Sequence, residues 1–177
     1  IYVFGNDDTT RDAQVKEVDA AGNRVWSWHA TNLFHDTAYT SIYDDGWTHI
    51  NAVTRLTNGN TLVGLRNFGL TVEVDRRGDY LWHYDWSAIG GSNSDPHEPE
   101  LQATNDHLVV CLQNTSPYQV VEIDRPSGDV VWTYARDGLR TTRDANRLGN
   151  GNTLIVGVLT NRADDQSEMF EVAPDGE

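Results

Sequence analysis

What most constrains this chain is that it repeats itself. Arg55-Leu56-Thr57-Asn58-Gly59-Asn60-Thr61-Leu62 returns, 92 positions on, as Arg147-Leu148-Gly149-Asn150-Gly151-Asn152-Thr153-Leu154. Half that displacement finds a third copy: steps of 46 from Leu62 reach Leu108, in Asp106-His107-Leu108-Val109-Val110, and then Leu154. Copies of this kind stack so that each covers its neighbour's apolar face, and the repeat therefore decides the architecture.

Within each copy the apolar period is two. A shared signature recurs as Val72-Glu73-Val74-Asp75, Val121-Glu122-Ile123-Asp124 and Phe170-Glu171-Val172, with Lys16-Glu17-Val18-Asp19 ahead of them. A glycine turn follows at Gly22, Gly78, Gly128 and Gly176. Then comes an aromatic strand: Trp26-Ser27-Trp28, Trp82-His83-Tyr84 or Trp132-Thr133-Tyr134. Alternation, β-branched and aromatic enrichment and the Asn-Gly and Gly-Asp/Asn turns make these strands and hairpins. One copy read through predicts strands over 49–56, 61–67, 70–75 and 80–85. No window of useful length carries an i, i+3, i+4 apolar stripe, which sets helical repeats aside.

Four antiparallel strands recurring every 40 to 55 residues or so make a propeller blade. The expected fold is all-β, a β-propeller of four-stranded antiparallel blades, of which this chain holds three to four in one propeller region. The boundaries are a partial blade over 1–30, blades over 48–86 and 96–135, and a partial blade over 141–177. The first piece supplies strands two to four, and the last stops after strand three. Propellers close with about four to eight blades, so the chain reads as a slice of a larger ring, the alternatives being a small four-bladed ring or copies that self-assemble to complete one. It opens at Ile1 with neither an initiator Met nor a charged-then-apolar leader, which reads as a processed or partial chain.

The first strand of a blade lines the central channel, reached by a loop from the previous blade. Those loops, over 29–48, 86–95 and 135–141, are long and irregular, and long loops on one rim are where binding concentrates. Asn51, His97 and Arg143 lie 46 apart on the three inner strands, with His49, Asp95 and Thr141 two residues earlier. Residues i and i+2 of a strand share a face, so a ring of polar groups is expected at the channel mouth. Two imidazoles, an amide and a guanidinium suit an anion better than a chance polar lining, and Arg66, expected at the end of a second strand, adds a cation. Trp26, Trp82 and Trp132 read as packing between blades, and Glu17, Glu73, Glu122 and Glu171 as fixing blade geometry. His29, His35, His83 and His107 fall off the inner-strand register. Asp7-Asp8, Asp44-Asp45 and Asp164-Asp165 lack the spacing of a calcium loop, and Asn114-Thr115-Ser116 is a single glycosylation sequon. No Cys/His metal spacing, phosphate-cradling glycine loop or nucleophile elbow is present, so no metal and no cofactor are expected.

Charge excludes further classes. The chain carries 13 Lys+Arg against 27 Asp+Glu, a net charge of −14, with no basic stripe, which argues against nucleic acid and against an anionic membrane surface. Lys16 is its one lysine, and an acidic, lysine-poor chain has the bias of extreme halophiles. No run of about 18 apolar residues is long enough to span a bilayer as a helix. Cys111, the single cysteine, makes neither an intrachain disulfide nor a zinc site.

Thr48-His49-Ile50-Asn51 running into Arg55-Leu56-Thr57-Asn58-Gly59-Asn60-Thr61-Leu62-Val63-Gly64-Leu65-Arg66-Asn67, together with Arg143-Asp144-Ala145-Asn146-Arg147-Leu148-Gly149-Asn150-Gly151-Asn152-Thr153-Leu154-Ile155, resembles the arylsulfotransferase family, above all its archaeal halophile branch. The likeness runs along nearly all the chain; its blade turns are a general propeller feature, and the His-x-Asn with Arg is its specific part. The resemblance implies a six-bladed propeller, extracellular or on the cell surface, that moves a sulfuryl group from an aryl sulfate to a phenol through a sulfohistidine, with no nucleotide donor. It also implies that His49, Asn51 and Arg66 hold the sulfuryl group. His97, on the next inner strand, is the candidate nucleophile, with His49 as its catalytic partner and Arg143 as a further anion contact. The third copy departs from the pattern, for some members carry histidine before Asp-Ala where this chain has Arg143.

The rival reading is a non-catalytic propeller. Ile123-Asp124-Arg125-Pro126-Ser127-Gly128-Asp129-Val130-Val131-Trp132 resembles the Asp-x-x-x-Gly-x-x-x-Trp pattern of quinoprotein-like repeats, a group that includes scaffolding propellers. In that reading the long rim loops bind a protein partner. A quinone-cofactor dehydrogenase is the weakest expectation, because no metal-ligand set accompanies the pattern.

Overall fold

The structure is a computed structural model that describes residues 2–7, 12–35, 39, 47–92, 94–159 and 167–176, with side chains described from residue 14. It divides into two compact units, residues 1–85 and 86–177. Each unit holds one three-stranded and one four-stranded antiparallel sheet. The first sheet is β1 (Tyr2–Asp7), β2 (Asp12–Val18) and β3 (Arg24–His29), and the second is β4 (Ile50–Arg55), β5 (Thr61–Leu65), β6 (Leu70–Val74) and β7 (Tyr80–Asp85). The third runs β8 (Pro96–Leu101), β9 (His107–Leu112), β10 (Gln119–Asp124) and β11 (Val130–Tyr134); the fourth is β12 (Leu139–Arg147), β13 (Thr153–Leu159) and β14 (Ser167–Val172). Every sheet is a meander in chain order, the build of a propeller blade. The short helical pieces include 3-10 turns at Ala30–Asn32 and Arg66–Phe68 and an α turn at Ser87–Gly90.

Burial follows from sheets that are covered on both faces. Every residue of β5 and β6 is buried, and β9 is buried from Leu108 through Leu112, so the middle strands read as continuous apolar runs. The outer strands β7 and β11 are largely exposed. One core gathers Val15, Trp28, Trp47, Val63, Leu65 and Val72 in the first unit, and another gathers Val109, Val120, Tyr134, Ala145 and Ile155 in the second. At about 25 cal/mol per Å² of apolar surface, such side chains each contribute about 1.5–3 kcal/mol.

The repeated motif is explained residue by residue at the seam between neighbouring sheets. In the first unit Arg55 pairs with Glu17 at 2.8 Å, donates to the carbonyl of Gly59 at 2.8 Å and lies 4.7 Å over the Trp26 ring, while the Trp26 indole donates to the carbonyl of Arg76 at 2.8 Å. In the second unit Arg147 pairs with Glu122, donates to Gly151 O at 3.1 Å and lies 4.6 Å over Trp132, whose indole donates to Pro174 O at 3.0 Å. One arginine thus ties its own hairpin, the previous sheet's third strand and that sheet's outer tryptophan. Gly59 and Gly151, at φ +91 and +90, take a turn that a side chain would strain. Asn60 and Asn152 reach Glu73 and Glu171 of their own sheets, each at 2.6 Å. The Asn23 side-chain amide and then the backbone N–H groups of the turn hold the Asp19 carboxyl below the usual aspartate range, and the backbone N–H groups of Asp79 and Arg77 do the same for Asp75.

Four expectations are corrected. Val109, not Leu108, stands opposite Glu122 as Leu62 stands opposite Glu73 and Leu154 opposite Glu171. The hairpin of the third sheet spans 103–106 where the second spans 57–59, with Asp106 at φ +58 in place of a glycine, and this extra residue shifts the second strand by one. Arg66 does not end a strand but opens a 3-10 turn, and β12 begins at Leu139, which shortens the loop expected over 135–141. The shared face of residues i and i+2 also fails at the inner strands, for reasons that belong to the site. Residues 36–38 and 40–46 of the 29–48 loop and the pairs at Asp7-Asp8, Asp44-Asp45 and Asp164-Asp165 lie outside the described side chains.

Candidate functional site

Two of the inner strands, β4 and β8, start at a corner. In the second sheet His49 has φ +46, and in the third Asp95 has φ +43, a left-handed backbone that costs a non-glycine residue about 1–3 kcal/mol unless its surroundings hold it. They do: Asn67 N–H donates to Thr48 O at 3.1 Å, and Gln113 N–H is shared between Ser94 O at 3.1 Å and Asp95 O at 3.3 Å. Thr48 and Ser94 are fully buried beneath these corners.

A bulge interrupts each of β4, β8 and β12. Ile50 pairs with Leu65 and Ala52 with Gly64, which leaves Asn51 as the extra residue; Thr142 pairs with Gly157 and Asp144 with Val156, which leaves Arg143. In the third sheet His97 stays in register opposite Cys111, and the extra residue comes later, at Glu98-Pro99, with Glu98 at φ +44. Asn51, His97 and Arg143 therefore do hold one place along their strands, but the corners and bulges rotate the backbone between them and their i−2 neighbours. His97 turns inward, 7% exposed, while Arg143 is exposed.

In the second unit His97 and Arg143 meet. Arg143 Nη1 lies 3.0 Å from His97 Nε2, and His97 Nδ1 lies 3.1 Å from Asp95 O. A guanidinium only donates and a carbonyl only accepts. His97 is thereby neutral, with its proton on Nδ1 and its lone pair on Nε2 at the Arg143 tip. Gln113 Nε2 donates to Thr142 O at 2.6 Å and pins the start of β12 to the end of β9, which fixes the two partners.

Three further titratable groups lie on the strands β8 and β9 that carry or face His97. Burial pushes the Cys111 thiol up to about 12, so it stays protonated and is no nucleophile. Burial, and then the Asp144 charge, raise the Glu98 carboxyl above its ordinary range. Burial likewise raises Glu100, against the pull of the Arg147 backbone N–H.

In the first unit His49 and Arg66 flank the Ile50–Leu65 pair on one side and Asn51 on the other, so all three sit at one end of the second sheet. Arg66 Nη1 donates to Asn67 Oδ1 at 3.1 Å, and Asn67 Nδ2 donates to Trp47 O at 3.3 Å. The sequence-predicted residues thus fall into two groups, His49, Asn51 and Arg66 on one unit and His97 with Arg143 on the other.

At the far end of the third and fourth sheets a cavity of about 740 Å³ is lined by Glu100, His107, Glu122, Trp132, Arg147 and Pro174 among others. Its wall is the seam itself, with His107 Nδ1 2.8 Å from Glu122 Oε1. His107 takes the place that Asn60 and Asn152 hold elsewhere. Sequence reasoning missed the arginine of this seam, although its 92-residue recurrence was the visible signal. Among the described residues no three His, Cys, Asp or Glu side chains gather as a metal site, and no helix is long and apolar enough to cross a membrane.

No family model matches the chain, and no curated protein matches it at a significant score. Solved structures do match. A protein of unknown function from Bacteroides caccae superposes with a TM-score of 0.69 at 15% identity, over 99% of this chain and 60% of that one. A streptogramin B lyase gives 0.57 at 9% identity, over 97% and 51%. A catalytically inactive virginiamycin B lyase from Staphylococcus aureus with quinupristin gives 0.55 at 8% identity, over 97% and 55%. The chain therefore spans between half and three-fifths of the length of these proteins. Identities so low show the fold alone, and that fold is a β-propeller.

Proposed function

We propose that this propeller segment carries a sulfuryl-transfer site of the arylsulfotransferase kind, with His97 as nucleophile and Arg143 as its anion contact. The observation that supports this is the fixed tautomer: Asp95 O holds the proton on Nδ1 and leaves the Nε2 lone pair facing a guanidinium. In the first step Nε2 attacks the sulfur of an aryl sulfate, an N–S bond forms, the S–O bond to the aryl group breaks and a phenolate leaves, taking a proton from solvent. In the second, a phenol oxygen attacks sulfur, the N–S bond breaks, the acceptor's proton goes to solvent and neutral His97 returns. Covalent catalysis divides one difficult transfer into two easier ones, and a fixed cation at the sulfuryl oxygens favours the charge that develops.

His49, Asn51 and Arg66 on the first unit carry the His-x-Asn and Arg of the same resemblance, and their role is tested by their own variants. The donor and acceptor class is phenolic, and the setting proposed is extracellular or the cell surface. The test is release of a coloured phenol from an aryl sulfate. Release that depends on an acceptor phenol and is lost in His97→Gln supports the reading. No release across several donors, with circular dichroism showing an intact β fold, overturns it. A second reading, a non-catalytic binding propeller, draws on Val25, Leu81 and Val131, which are 58%, 49% and 48% exposed one residue before the outer-strand tryptophan of three successive sheets.

A further inference from the structure

Arg143 presents a difficulty for any attack by His97, because the lone pair that would form the N–S bond is the one its guanidinium holds. The same geometry resolves it. Arg143 stands on the extra residue of a bulge, is exposed, and among the described residues has no carboxylate partner. His97, by contrast, is buried and held from behind by the Asp95 carbonyl. One partner is free to move and the other is not. An anionic oxygen adds full charge attraction and bidentate geometry to the guanidinium's hydrogen bonds, which a neutral imidazole nitrogen lacks. An anionic group arriving at the mouth therefore competes successfully for Arg143 and leaves His97 in place.

From this we infer that Arg143 caps His97 in the free protein and that a sulfuryl or similar tetrahedral oxyanion draws the cap away, so that the nucleophile is exposed only when its substrate is present. This rests on reading the pair as a sulfuryl site. Glu98 on the strand of His97, Asp144 beside Arg143 and Glu100 further along β8 all repel an anion, and Cys111 opposite His97 is a neutral thiol, which leaves Arg143 as the one cation among these groups to invite the ligand. Besides contacting the anion, Arg143 acts on the reaction by covering or releasing Nε2. Electrophiles that carry no anionic oxygens would meet a covered nitrogen.

The cap is read by two-bond proton–nitrogen correlation of the His97 imidazole, with inorganic sulfate as the probe. In chloride buffer the expected Nε2 signal is that of an unprotonated nitrogen accepting a hydrogen bond. Sulfate should move it towards the free lone-pair position, and Arg143→Gln should place it there without sulfate and abolish the response. Arg143→Lys should restore part of the response, which a merely structural arginine would not do. An Nε2 signal identical in the native protein and in Arg143→Gln overturns the cap. A sulfate response elsewhere in residues 86–177 with none at Nε2 overturns the release. If no resonance responds to sulfate, the sulfuryl site itself fails, while the Arg143→Gln spectrum still decides whether His97 is capped. Failure of phenol release with a positive cap would leave an anion sensor without transfer activity, so the two readings fail separately.

Discussion

The two ends of the inner strands obey different rules. At one end Arg55 and Arg147 repeat the same construction in both units, with cation–ring distances of 4.7 and 4.6 Å and the same indole-to-carbonyl bond. At the other end the equivalent residues are Asn51, His97 and Arg143, and no two are chemically alike. An end that repeats in both units answers a shared demand, which is to join neighbouring sheets within a unit. An end that varies answers a demand of one site. The proposed site rests on this difference, because packing alone gives no reason for a strained corner to carry imidazole in one sheet and carboxylate in another, or for a bulge to carry amide in one and guanidinium in another.

The comparison breaks first at His97. His97→Gln should lower phenol release by about a thousandfold or more, because a nucleophile has no substitute in its own site; retention of release at near-native rate would show that the variable end does no chemistry. Next is the repeating end. Arg147→Leu should cost about 3 kcal/mol in urea unfolding, since it strands Glu122, 8% exposed, without its cation. Arg55→Leu should cost about half of that, because Glu17 is 23% exposed and water recovers part of the loss. Equal and negligible costs would remove the seam's claim to stability.

Smaller effects sharpen the contrast. Trp132→Phe should lose about 1–2 kcal/mol, from the indole hydrogen bond to Pro174 and part of the attraction to Arg147. Arg143→Ala, at the variable end, should shift stability by no more than about 0.5 kcal/mol while impairing transfer, as unfolding curves and kinetics on one preparation would show. The smallest effect is a difference of sign with pH. The raised Glu98 carboxyl makes its ionisation unfavourable in the folded protein, so Glu98→Gln should stabilise at neutral pH and lose that gain as pH falls through the raised range down to the ordinary 4.5. The lowered Asp75 carboxyl works the other way: Asp75→Ala should destabilise at neutral pH, with the deficit closing as pH falls through and below the ordinary 3.8. Midpoints of thermal unfolding across pH 3 to about 7 check both.

Much of the fold was legible because each repeated residue has one fixed task. The glycine of Asn-Gly-Asn supplies the turn, the second Asn reaches Glu73 or Glu171, and Trp26 and Trp132 pack where the spacing placed them. The third sheet was misread by one residue because a four-residue hairpin at 103–106 looks, in sequence, like any other turn. The site was legible only as a set of positions. Period two assumes a flat ladder, and the positive φ at His49 and Asp95 with the bulges at Asn51 and Arg143 are backbone departures that no side-chain alternation reports. The contact between His97 and Arg143 depends on those departures.

A third-strand glutamate can answer to two partners, one within its own blade and one on the next. Glu122, held by His107 from its own sheet and by Arg147 from the following one, shows both halves together. A gene segment that encodes one blade consequently carries an outgoing half-joint and an incoming half-joint, and its tandem duplication produces a matched junction with no new mutation. Growth by whole blades is the inexpensive evolutionary route for such a protein, whereas loss or gain of part of a blade exposes an acid or an arginine with nothing to meet it. Diversification is then left to the bulged residues, where one codon can change without disturbing a joint.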